Sequence, residues 1–212
     1  MAGWRSQSGC RTRYMKKTTP PLSQPSPTDP WADIRPYHDD EVAAVLAKLA
    51  NNRELLDALT LYRLPRLSRA LPWLARGLAS LAIRRQARGV NSVHEFQLRV
   101  ADYMEHMIRT STDHFRIEGL EKLDPDTAYL FIGNHRDISL DPAFVNFALH
   151  QVGRNTVRIA IGDNLLKKPY VNDLMRLNKS FIVPRALRGK RAMLAAYQKL
   201  SGYIRHSIVE DN

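Results

Sequence analysis

The chain has 212 residues, with 44% hydrophobic and 25% charged, which allows one domain with a sizeable core, or a domain plus a helical extension, and excludes a disordered chain. The formal net charge is +11, which points to an anionic partner: nucleic acid, an anionic membrane surface or phosphorylated substrates. The single cysteine, Cys10, excludes a disulfide framework and fits a reducing cytoplasm.

Residues 1–30 are rich in Ser, Thr, Pro and basic residues, the composition of a disordered basic tail. They lack the apolar stretch of a secretory signal. Residues 31–113 are expected to form a helical N-terminal region. Val42, Val45, Leu46 and Leu49 recur at helical spacing, and Leu55, Leu56 and Leu59 begin a second apolar face that Pro65 ends or kinks.

From Arg63 to Arg88 there are seven arginines and no acidic residue, interleaved with the apolar run Leu71–Ile83. That run is too short and interrupted to span a bilayer, which takes about 20 apolar residues. It suits either a core-facing helix with solvated arginines or an amphipathic helix lying in a membrane interface. Ser92 and Glu95 then form a capping box ahead of a Phe96, Val100, Tyr103 and Met107 stripe, the spacing of a core-facing helix.

Beyond Asp113 the pattern changes. Phe115–Ile117 is a strand candidate, followed by a loop over residues 119–126. Tyr129–Ile132 is a short apolar run expected to be a buried strand. Asp141-Pro142 suits an N-cap and first turn of a helix through Leu149. Val157–Ile161 and Phe181–Val183 are further strands, and Met193, Tyr197, Leu200 and Ile204 mark one face of a last helix. Alternating elements predict an α/β fold: a mixed, largely parallel sheet flanked by helices, preceded by the helical region. The domains expected are thus 1–30, 31–113 and 114–212.

The chemistry concentrates in Phe131-Ile132-Gly133-Asn134-His135-Arg136-Asp137-Ile138-Ser139-Leu140-Asp141-Pro142. His135 follows a candidate strand, at the end where α/β sheets hold ligands. A histidine is the natural general base near neutral pH, and a carboxylate can orient its ring. Asp137 and Asp141 are both candidates for that role. The other histidines, His38, His94, His106, His114, His150 and His206, lack ligand spacing, so no metal site is expected.

This stretch resembles the first block of the glycerol-3-phosphate and 1-acylglycerol-3-phosphate acyltransferase family, a His and an Asp separated by four residues, with flanking Asn, Arg and Ser. Phe181-Ile182-Val183-Pro184-Arg185 resembles the family's second block, and Glu118-Gly119-Leu120 its usual approach. The family spacing falls on Leu140, one residue short of Asp141. The Asp-Pro pair and following apolar helix favour Asp141 over Asp137 as the counterpart. A Glu-Gly-x-Arg third block and the fourth block have no counterpart before Asn212, so the resemblance implies a C-terminally truncated member.

The resemblance implies transfer of a fatty acyl group from a thioester, acyl-CoA or acyl carrier protein, to a hydroxyl of glycerol 3-phosphate or a lysophospholipid, without a cofactor. His135 would be the base and Asp141 its orienting partner. Asn134, Arg136, Asp137 and Arg185 would bind substrate, Arg185 through the acceptor's phosphate. Backbone N–H groups near Gly133 and Asn134 would steady the oxyanion. The implied location is cytoplasmic and peripheral, on the inner face of an anionic membrane. The alternative is a non-catalytic membrane- or lipid-binding module. Nucleic acid is the weakest partner, since no binding motif accompanies the arginines.

Overall fold

Helix caps written into the sequence set out the first half of the chain. The computed structural model describes residues 29–124, 127–134 and 136–210, so Cys10 and the tail before residue 29 lie outside it. Three acidic residues open α1 (Asp39–Ala50), where they favour the positive helix end. The Glu41 carboxylate accepts from the His38 N–H at 2.8 Å. Asn52 caps α2 (Arg53–Arg63) by accepting from the Leu55 N–H at 2.9 Å. Pro65 and Pro72 stand at the first positions of α3 (Pro65–Ala70) and α4 (Pro72–Gln86), where a missing N–H costs nothing. The prolines therefore divide the arginine-rich stretch into two helices. The Ser92–Glu95 capping box opens α5 (Val93–Ser111), as its spacing predicts.

The second half holds α6 (Leu140–Gln151), β1 (Ile159–Gly162), α7 (Pro169–Leu177), β2 (Ser180–Val183) and α8 (Lys190–Val209). β1 and β2 pair in parallel, Ile159 opposite Ser180 and Gly162 opposite Val183, with α7 as the crossover. The fold is α/β, mostly helical, with a small parallel sheet. No described helix is long and apolar enough to cross a membrane.

Leu177, at the end of α7, is fully buried with Val42, Val45, Leu46, Leu49, Leu55, Val90 and Val93. The crossover helix therefore shares one core with the N-terminal helices, and residues 31–212 make one compact unit. A buried polar cluster reinforces the junction. The Arg176 guanidinium donates to the carbonyls of Arg35 and Ala32 and stacks over the Tyr37 ring at 4.3 Å. Tyr37 Oη donates to Asp173 Oδ1 at 2.8 Å, and Lys48 pairs with Asp173 at 2.8 Å.

Burial, then the bond to Asp173, pushes the Tyr37 hydroxyl from 10.0 up to about 12. A folded-state value above the unfolded one means this stabilisation is full below pH 10 and is lost as pH rises through about 12. Tyr37→Phe is expected to cost about 1 kcal/mol near neutrality and to flatten the decline of stability in that alkaline window. Urea titrations across the window check this, and equal slopes in both proteins would contradict it.

Several expected strands do not form. Phe115–Ile117 pairs with no described strand, and Phe115 packs instead on Phe144 and Phe147 of α6 at 5.2 and 6.0 Å between ring centres. Tyr129–Ile132 also pairs with no described strand, and Leu130 and Ile132 are 85% and 87% exposed. The expected strand at Val157–Ile161 begins two residues later. The Asn146 side chain takes both the N–H and the carbonyl of Val157, which removes that residue from the ladder. The last helix buries Tyr203 and Ser207 rather than Met193, Tyr197 and Ile204, all exposed. Trp31 stacked on His206 and Phe181 packed on Tyr203 set that orientation.

Candidate active site

The segment leading to the first motif is fixed by its neighbours. The Arg154 guanidinium donates to the carbonyls of Leu123 and Asp124, and the Asp124 N–H donates to Tyr129 Oη at 2.8 Å. Gly133 and Asn134 follow, both exposed. His135 lies outside the described residues. Arg136 and Asp137 resume the chain, also exposed.

Asp137 and Asp141 play different parts. Asp137 Oδ1 accepts from the N–H groups of Leu140 and Ser139, each at 2.8 Å. Asp137, and not Asp141, is therefore the side chain that caps α6. The Leu140 and then the Ser139 N–H hold its carboxyl below the usual aspartate range. Asp141 is the second residue of α6, and its own N–H donates to the Asp137 carbonyl at 3.2 Å. Its Oδ2 reaches back to accept from the N–H groups of Arg136 at 2.7 Å and Asp137 at 3.0 Å. Each aspartate thus accepts two backbone N–H groups of the turn that leads into α6. The Asp141 carboxylate meets the backbone at the first residue after His135. One carboxylate is spent on the helix end, and the other is aimed at the histidine's loop.

Arg185 stands at the carboxyl end of β2, at the mouth of the parallel pair. Its N–H donates to Asp163 Oδ1 at 3.0 Å, and the Ala186 N–H donates to Asp163 Oδ2 at 3.3 Å. Asp163 follows β1, so a carboxylate at one strand end shapes the loop after the other. The Arg185 side chain lies across Gly162, where a Cβ would sit 3.2 Å from its Cδ and 3.3 Å from its Nε. That Cβ would also fall 2.4 Å from Asn164 Oδ1, so glycine is the residue that admits this approach. The guanidinium is exposed, with forked donors suited to a phosphate or carboxylate.

The structure therefore brings Arg136, Asp137 and Asp141 together and sets Arg185 with Gly162 and Asp163. No hydrogen bond or ion pair among the described residues joins the two sets. Gly162 and Asp163 are site residues that the motif pattern does not reveal. Their signal was Gly-Asp-Asn directly after an apolar run, a turn at the ligand-binding end of a strand.

Residues 114–206 match the family model described as Acyltransferase, and the match supports acyl transfer as the general activity. It spans both residue sets and His135. No curated protein and no solved structure matches the chain.

Proposed function

We propose, with the acyltransferase match over residues 114–206 as the premise, that the chain moves a fatty acyl group from a thioester to a hydroxyl of glycerol 3-phosphate or a lysophospholipid. The donor is acyl-CoA or acyl carrier protein, and the work is done peripherally at the inner face of an anionic membrane. The observation that carries this reading is the Asp141 carboxylate, turned back onto the N–H groups of Arg136 and Asp137 beside His135.

His135 takes the acceptor hydroxyl's proton as its oxygen attacks the thioester carbonyl. The tetrahedral intermediate collapses, the C–S bond breaks, and the imidazolium returns the proton to the departing thiolate. One ester and one thiol result, with no covalent enzyme intermediate. Asp141 fixes the imidazole tautomer, while Asp137 keeps the start of α6 in place. Backbone N–H groups near Gly133 and Asn134 face the developing oxyanion. Asn134, Arg136 and Asp137 line the substrate's approach.

Arg185 holds the acceptor's phosphate. Arg185→Ala is expected to raise KM for a phosphorylated acceptor about 10- to 100-fold, with a much smaller change in kcat. An acceptor alcohol without phosphate would show no such rise. Steady-state kinetics with both acceptors test the role, and a fall in kcat at unchanged KM would overturn it.

A further inference from the structure

None of residues 61–74, which join α2, α3 and the start of α4, is buried. Yet the stretch carries large apolar groups: Tyr62 is 81% exposed, Trp73 68% and Leu61 56%. Leu78 and Leu81 continue this character along α4. Within α4, Trp73 and Leu81 point away from the fully buried Ala75, and Leu78 and Arg85 lie on the adjoining flank. Leaving such a patch in water is unfavourable, and a patch this extensive marks an interaction surface.

The charge selects the partner. Arg63, Arg66, Arg69, Arg85 and Arg88 are exposed, and none pairs with a carboxylate among the described residues. Arg76 is satisfied by Asp57 at 2.6 Å. A second copy of this face would oppose arginine with arginine. A phosphate backbone would satisfy the arginines but leave the leucines and Trp73 in water. An anionic bilayer surface takes both: apolar side chains enter the acyl boundary, tryptophan sits at the headgroup level, and arginines meet lipid phosphates.

We propose that the end of α2, α3 and the outward face of α4 form the face that docks on an anionic lipid bilayer. This rests on the peripheral-membrane part of the reading above, and it does not depend on acyl transfer.

The test is co-sedimentation of the full chain with phosphatidylcholine vesicles, with and without phosphatidylglycerol, at low and high salt. Binding is expected to require phosphatidylglycerol and to weaken with salt. The double variant Trp73→Ser/Leu81→Ser is expected to lose about tenfold in affinity. The triple variant Arg63→Gln/Arg66→Gln/Arg69→Gln is expected to lose on the order of 100-fold. Both should keep wild-type circular dichroism, since none of these side chains is buried. Equal binding to both vesicle types would overturn the proposal, as would undiminished binding by both folded variants. So would a double-stranded oligonucleotide that strips the chain from vesicles and is itself lost in the arginine variant. Vesicle binding without acyl transfer would leave the docking face standing and remove the enzymatic reading. Acyl transfer to detergent-dispersed acceptor without vesicle binding would do the reverse.

Discussion

Replacing His135 with alanine is expected to lower the rate of acyl transfer by about 10²- to 10⁴-fold, the span a positioned general base supplies. No other histidine in the chain lies in either motif, so no neighbour takes over the proton. Stability should change little, and a matched melting temperature separates lost chemistry from lost fold. The two aspartates sharpen the prediction. Asp141→Asn keeps a side-chain acceptor toward the Arg136 and Asp137 N–H groups but removes the charge that favours the imidazolium, so kcat should fall steeply. Asp137→Asn keeps an N-cap acceptor for Ser139 and Leu140, so activity should be largely retained. Equal losses in the two variants would show that the carboxylates do not divide their work in this way.

Leu177→Ala is expected to destabilise the protein by about 2–5 kcal/mol, the range for a buried leucine whose cavity cannot collapse. Leu177 is fully buried against side chains from α1, α2 and α5, and it ends the helix that links the two strands. Its loss loosens the helical region and the sheet together, so one cooperative transition should shift as a whole. Chemical denaturation followed by tryptophan fluorescence and circular dichroism measures this. A shift below about 1 kcal/mol, the centre of ordinary point-mutant effects, would mean that α7 does not anchor the two parts.

The sequence made the punctuation legible. Pro65 and the Ser92–Glu95 box act locally, through one missing N–H or one side-chain bond, so the break after α2 and the start of α5 could be read from neighbouring residues. The strands were harder, because a strand needs a partner that no local pattern supplies. Phe181–Val183 found one in β1, whereas Tyr129–Ile132 carries the same apolar texture and pairs with no described strand. Val157 read as strand, but the Asn146 amide, eleven residues earlier, claims its backbone. At the site, His135, Asp141 and Arg185 were visible as motif residues. The division of labour between Asp137 and Asp141 was not, because spacing alone leaves both carboxylates near the loop. It emerges only once the N–H groups that each accepts are known.

The measurement that tests the central claim most directly incubates the chain with an acyl thioester, with and without glycerol 3-phosphate, and follows free thiol and acyl ester together. The account predicts thiol release that depends on the acceptor, with one ester formed per thiol released. Thiol release that is equal without the acceptor, or no ester at any acceptor concentration, would contradict it.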